Sequence, residues 1–330
     1  MPRRRCHWRA GGLFLRDPDY LFWGETMIKA ELESIVGSGA VLEGQLLARY
    51  TSFQVGGPAE FLVRPETFTQ AAGIIAYCRE NRLPLHVMGR GTNLLVSDRG
   101  LSGVVMVLGD NLAAIRATGP RIVAQAGASL ARVSALALAN NLSGLEFASG
   151  IPGSVGGAVV MNAGAFDGEM QDVLRQVLAA NPRGELVVFG PQEMELGYRS
   201  SAFQNNDHLV LEAELELGPG SAGAIEAKMN DFNRRRRDKQ PLDLPSAGST
   251  FKRPPGHYAG QLIESCGLRG AKLGGAAVSE KHCGFIVNTG GATAGDVHAL
   301  IRRVQAQVEK EQGVRLVPEV RFWGDFENES

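Results

Sequence analysis

The sequence predicts an α+β fold in two parts, a larger unit followed by a smaller one, and three observations carry that reading. Short apolar runs of strand length stand between segments with helical spacing, without a strict strand-helix repeat. A Gly-Pro-Gly-Ser-Ala-Gly stretch at 218–223 interrupts this pattern and marks a boundary. The chain has 330 residues, 44% of them hydrophobic and 21% charged, which is enough to bury more than one core.

The first 26 residues stand apart. MPRRRCHWRA is basic, but only GGLFL follows before Arg16, Asp17 and Asp19, too short an apolar run for a signal peptide. Residues 1–26 are expected to be a disordered leader, and Met27 opens a helix, IKAELESIV. YTSFQVGGPAEFLVRP, from Tyr50, alternates around a Gly-Gly-Pro turn and predicts a hairpin. ETFTQAAGIIAYCRENR has helical spacing, LPLHVMG is a short strand, and GVVMVLG is a buried strand after the loop GRGTNLLVSD. RIVAQAGAS, LVVFG and LVLEAELEL continue as strands around the helix LARVSALALANN. Past the boundary come the helices IEAKMNDFNRRRRDKQ and YAGQLIESCG, the glycine-rich AKLGGAAVS, the strand FIVN and the long helix TAGDVHALIRRVQAQVEKEQG. The end, VRLVPEVRFWG, is strand-like.

Composition narrows the function. The 34 Lys and Arg against 35 Asp and Glu give a formal charge of -1, so no global basic field attracts nucleic acid or an anionic membrane. An anion must be held locally. Cys6, Cys78, Cys266 and Cys283 form no CxxC pair, which argues against a structural zinc site or a disulfide framework and fits a reducing cytoplasm. No run approaches the ~20 apolar residues that span a bilayer. Six histidines, among them the His282-Cys283 pair, make no metal constellation. No obligate protein partner is evident.

Two glycine-rich stretches suit a pyrophosphate: Gly89, Arg90, Gly91, Thr92 and Asn93, and the run SGIPGSVGGAVVMNAGAF at 149–166. Glycine lets backbone amides approach a phosphate closely, and successive amides form an anion nest without lysines. Gly153, Ser154, Val155, Gly156 and Gly157 would supply the second nest, with Asn93 and Asn162 as polar contacts to cofactor or loop backbone. A Rossmann site is disfavoured, because GRGTN runs into the apolar LLV rather than into a helix followed by an acidic residue about 20 positions on. A serine hydrolase is disfavoured too, for want of GxSxG and a plausibly placed Asp and His.

Six blocks in order, GRGTNLLVSD, LEFASGIPGSVGGAVVMNAGAF, GYRSSAF, SAGSTFKRP, GLRGAKLGGAAVSEKHCGFIVN and LVPEVRFWG, are similar to the UDP-N-acetylenolpyruvoylglucosamine reductase family from about Tyr50 to Gly324. The short link between GYRSSAF and SAGSTF resembles the shorter type, which lacks an inserted tyrosine loop. The resemblance implies a two-part FAD-binding domain of the p-cresol methylhydroxylase and vanillyl-alcohol oxidase type plus a smaller α+β substrate-binding domain. Residues 27–108 would form the first FAD subdomain, joined by 314–325, with 109–222 as the second and 223–313 as the substrate domain. It further implies noncovalent FAD, leaving His86 a strand histidine, and NADPH as cosubstrate for reducing an enolpyruvyl ether to a lactyl ether.

On the same resemblance, Arg199 in GYRSSAF polarises the substrate carboxylate, Glu319 in VPEV is the acid beside it, and Ser249 in SAGSTF donates the proton. Tyr198, Arg237, Lys239, Lys252 and Arg253 are the candidates for holding substrate, Arg253 standing where longer members carry asparagine. A flavin oxidase acting on another substrate, and a non-catalytic flavin or nucleotide module, remain the alternatives.

Overall fold

A computed structural model gives the arrangement of residues 18–327, with side chains from Thr26 onward. Helix α1 (Pro18–Val36) starts ahead of Met27, so the last part of the segment set apart as a leader is helical. Residues 1–17 lie outside the described residues. Leu32 and Val36 of α1 are buried in the main core.

The first sheet contains β1 (Val41–Leu46), β2 (Pro58–Val63), β3 (Leu85–Met88) and β5 (Leu101–Val107), in the order β1-β2-β5-β3. Helix α2 (Phe68–Glu80) covers it, started by Thr67, whose hydroxyl accepts from the Gln70 amide at 3.1 Å. The hairpin expected around Gly56-Gly57-Pro58 is absent. The antiparallel partner of β2 is the earlier strand β1, with Val41 opposite Val63. The two glycines serve a close crossing instead: a Cβ on Gly57 would lie 2.1 Å from the Asp98 carbonyl oxygen. Between β3 and β5 the short strand β4 (Leu94–Val96) leaves this sheet.

The second sheet is wholly antiparallel, built from β6 (Ile115–Thr118), β7 (Arg121–Gln125), β8 (Leu174–Ala180), β9 (Leu186–Phe189) and β10 (Leu209–Glu216), in the order β9-β8-β10-β7-β6. In β10, Leu211, Ala213 and Leu215 are buried while Glu212, Glu214 and Glu216 alternate with them toward solvent. Helices α3 (Leu130–Ala139) and α4 (Val155–Val160) pack beside it, capped by the Ser129 and Ser154 hydroxyls. One continuous core runs from α1 and α2 through this sheet, so the two expected FAD subdomains share their interior.

Helix α5 (Ala222–Lys239) corrects the boundary placed at 222/223. It packs on the preceding unit, near α3 and the turn Glu146–Ala148, with Phe232 against the main core. The C-terminal core takes Phe53, Val55 and Leu95 from the first unit, and its own residues begin at Ala247. It gathers α6 (Ala259–Ser265), the small sheet β11 (Lys272–Leu273), β12 (Ala276–Val278) and β13 (Ile286–Asn288), and α7 (Ala294–Gln312). Helix α7 buries Val297, Leu300, Ile301, Val304 and Val308, a single stripe at helical spacing, between a Thr293/Asp296 capping box and Gly313 in the left-handed region.

The chain then returns. Strand β14 (Arg321–Trp323) pairs in parallel with β4, Arg321 opposite Leu94, so the terminal segment joins the C-terminal unit to the first. Among the described residues no helix is long and apolar enough to cross a membrane.

Candidate active site

The units meet around a cavity of about 1370 Å³. One wall is the loop Gly89–Asn93 after β3, another the loop 150–157 entering α4, and a third the segment 240–249. The two glycine loops are fitted to each other. A Cβ on Gly89 would lie 2.1 Å from Ser154 Oγ, and the Thr92 hydroxyl donates to the Pro152 carbonyl at 3.1 Å. Gly91 has φ +61°, and a Cβ there would lie 2.0 Å from the Tyr50 carbonyl. These glycines serve loop packing as much as ligand approach.

The second nest is smaller than expected. The Val155 and Gly156 amides donate to the Ala128 and Ala126 carbonyls, and the Val155 side chain is buried in the core. Gly157 donates to Ser154 Oγ at 3.4 Å as a helix cap. A Cβ on Gly156 would press within 2.9 Å of Ala126 Cβ, so this glycine is required by helix-on-strand packing. In the first loop the amides of Arg90, Gly91 and Thr92 have no protein acceptor among the described residues. Arg90 itself pairs with Asp110 at 3.3 Å on the rim.

Both asparagines turn to the protein. Asn93 donates to the Glu319 carbonyl at 3.1 Å and accepts the Arg321 amide on its own carbonyl at 2.9 Å, clamping the terminal segment. Asn162 is fully buried; its amide nitrogen donates to Glu169 and to the Gly197 carbonyl, and its oxygen accepts the Gln171 amide. Of the two contacts expected of Asn162, to cofactor or to loop backbone, the structure shows the backbone one, and the side chain does not line the cavity.

Arg199 and Glu319, 120 residues apart, meet on the cavity wall: Arg199 Nε donates to Glu319 Oε1 at 2.7 Å, and Nη2 donates to the Gly164 carbonyl at 3.0 Å. Nη1 has no protein acceptor among the described residues. The pair is mostly buried, with side chains 19% and 17% exposed. Burial pushes the Glu319 carboxyl above its ordinary value, against the pull of Arg199 and Lys252. Arg199 is left-handed at φ +53°, a conformation that costs a non-glycine residue about 1–2 kcal/mol.

Ser249 follows Gly248, at φ +76°, and its hydroxyl donates to the Phe251 carbonyl at 3.3 Å. The next residue, Thr250, accepts the Glu319 amide on its carbonyl at 2.8 Å, so serine and acid ride on paired segments. Lys252 continues that pairing through the Val317 carbonyl. Tyr198 lies outside the cavity wall; its ring faces the Arg199 guanidinium at 5.2 Å and its hydroxyl accepts the Arg253 amide. Arg253 stacks on Tyr258 at 4.0 Å, exposed.

Arg237 and Lys239 also fall outside the wall, on the solvent side of α5. One helical step back, Arg236 points inward: it is 8% exposed, its Nε is without a hydrogen-bond partner, and its guanidinium lies 5.6 Å from the Phe166 ring centre. The sequence reading passed over it. Its signal is the stripe Ile225, Phe232, Arg236, whose spacing keeps one face of α5 inward.

Comparison with known proteins bears on this geometry. Residues 240–323 match the family model for the C-terminal domain of UDP-N-acetylenolpyruvoylglucosamine reductase, and residues 59–190 match an FAD binding domain. A protein of Caldanaerobacter subterraneus subsp. tengcongensis named UDP-N-acetylenolpyruvoylglucosamine reductase is 47% identical over 295 residues, 89% of this chain and 97% of the relative. The chain belongs to the UDP-N-acetylenolpyruvoylglucosamine reductase family. A Clostridium botulinum protein of the same name is 48% identical over 301 residues, 90% of this chain and 97% of its own. The crystal structure of the Thermus caldophilus reductase is 38% identical, with a TM-score of 0.75, and the match covers 86% of this chain and 98% of that one.

As a member of this family the chain is an FAD-dependent oxidoreductase. The cavity fits the cofactor. A buried guanidinium with an orphaned nitrogen calls for an anion, and the amides of Arg90, Gly91 and Thr92 offer donors in the same cavity. The C-terminal reductase match starts at residue 240, after α5, in agreement with the packing of that helix on the preceding unit.

Proposed function

We propose that this chain reduces UDP-N-acetylenolpyruvoylglucosamine to UDP-N-acetylmuramate, with NADPH as the electron source, in the supply of peptidoglycan precursors. The observation that carries this reading is the Arg199–Glu319 pair, buried on the cavity wall beside the Ser249 turn. When bound, FAD would supply hydride chemistry at the enolpyruvyl methylene carbon, with NADPH as the reductant. The chain has to hold the substrate carboxylate, stabilise charge that develops on it, and protonate the neighbouring carbon.

Arg199 meets the first two needs, since Nη1 is unclaimed by the protein while Glu319 and the Gly164 carbonyl fix the rest of the guanidinium plane. Glu319, with its proton held to higher pH by burial, donates to the carboxylate as negative charge builds there. Ser249 gives its proton to the carbon next to the carboxylate and recovers one from solvent. Carbon-carbon unsaturation is thus replaced by two new C–H bonds, one from hydride and one from the hydroxyl. The unpartnered Arg236 and the Arg90–Thr92 amides support a diphosphate in the same cavity. Lys252 and Arg253, near the pair, remain candidates for the sugar nucleotide.

The test is to mix the purified yellow protein with NADPH and the enolpyruvyl sugar nucleotide without oxygen and weigh the product. A gain of two hydrogens per NADPH consumed supports the proposal. NADPH consumption only when oxygen is admitted, with the sugar unchanged, identifies a flavin oxidase instead.

A further inference from the structure

We propose that Gln204 is a positioning residue for the catalytic arginine, an inference that rests on the reading of Arg199 given above. Gln204 closes the turn Ala202–Gln204 and reaches the cavity wall. Its amide nitrogen donates to the Arg199 carbonyl at 3.1 Å and to the Val160 carbonyl at 2.9 Å, and its amide oxygen accepts from the Arg321 guanidinium. Two carbonyls on one side and a guanidinium on the other allow the amide a single orientation.

The three contacts join separate segments of the site. Arg199 sits in a left-handed conformation that a non-glycine residue leaves readily unless its backbone is held. Gln204 holds that residue's own carbonyl, and Val160, which shares the amide, ends α4. Arg321 lies two residues after Glu319 on the terminal segment, which Asn93 anchors through the Arg321 amide. One side-chain amide therefore ties the arginine-bearing turn to the terminal segment that carries the acid. Gln204 touches neither reacting carbon nor carboxylate in this role. It acts by fixing the direction in which Arg199 presents its free nitrogen, and a misplacement of about 1 Å is enough to cost on the order of a hundredfold in rate.

The test uses the FAD-loaded protein and Gln204→Leu, which keeps the size and removes every hydrogen bond. Stopped-flow absorbance should show flavin bleaching by NADPH within about twofold of wild type, and a ~10–100-fold slower return of colour on adding the enolpyruvyl sugar nucleotide. Calorimetry should show weaker binding of that carboxylate-bearing substrate and unchanged binding of UDP, which a general loosening of the fold would not separate. Gln204→Glu, which keeps the acceptor for Arg321 but has no N–H for the two carbonyls, should show the same selective loss and decides the matter if the leucine variant fails to fold. Either variant running at the wild-type rate, or losing UDP binding and both half-reactions together, overturns the inference. A wild-type protein that does not reduce the sugar nucleotide overturns the functional reading and carries this inference with it.

Discussion

In the proposed function Arg199 and Glu319 divide the substrate carboxylate between charge and proton. Arg199→Lys keeps the charge but not the planar fork held by Glu319 and Gly164, so kcat for sugar-nucleotide reduction should fall about 100- to 1,000-fold in steady-state assays. Glu319 carries a pH signature. Because burial raises its carboxyl, the folded chain keeps that proton at pH values where the unfolded chain has released it. Its contribution to stability is full below the ordinary carboxylate range and is lost as pH rises through the raised value. Turnover that needs the proton should decline across the same window. In Glu319→Gln the part of each slope contributed by Glu319 should vanish, measured against wild type by urea unfolding and by rate against pH, with turnover lower throughout. Arg199 and Glu319 were singled out by the resemblance of their motifs to the family, not by spacing or composition, and the structure pairs them on the cavity wall. Arg236 was not singled out, since four consecutive arginines look alike until the phase of α5 separates the inward one from its neighbours. Asn162 was left open for a related reason: a loop asparagine beside glycines satisfies backbone groups as readily as it meets a ligand, and here it meets backbone.

Among the elements, the loop Gly89–Asn93 makes the sharpest demand on the sequence. Gly91→Ala would place a methyl group 2.0 Å from the Tyr50 carbonyl at φ +61°, so backbone must shift. The loop should lose stability by more than about 1 kcal/mol, and the purified protein should retain less FAD, read from the ratio of flavin to protein absorbance. Gly37→Ala is the contrast: its added Cβ meets nothing within 4 Å, so its effect should be confined to backbone strain at φ +104° and leave flavin content near wild type. Helices α2, α3 and α7 were readable from the spacing of their apolar residues, and β10 as a strand. The hairpin at Gly56-Gly57 was misread because a glycine pair required by a close backbone crossing has the same local signature as one required by a tight turn. Which demand applies depends on Asp98, 41 positions away in the sequence.

At the scale of the whole molecule, the site exists only because the chain comes back. Glu319, the Thr250 pairing and strand β14 all lie on the segment after α7. A chain ending at Gly313 should lose sugar-nucleotide reduction and unfold at lower temperature, since it also gives up the buried Leu316 and Val320. A chain starting at Met27 keeps Leu32 and Val36 in the core and should retain FAD and full turnover. The return of the terminal strand was implied by the resemblance to the family, whereas the placement of α5 was misread, because a glycine-proline break marks a flexible link without saying which neighbour the next helix covers. The most direct test of the division of labour is anaerobic stopped-flow on Ser249→Ala. NADPH should bleach the flavin at a near-normal rate, while the return of colour on adding the enolpyruvyl sugar nucleotide should slow by roughly a hundred- to ten-thousand-fold. Equal slowing of both phases, or of neither, would contradict the assignment of Ser249 as the proton donor.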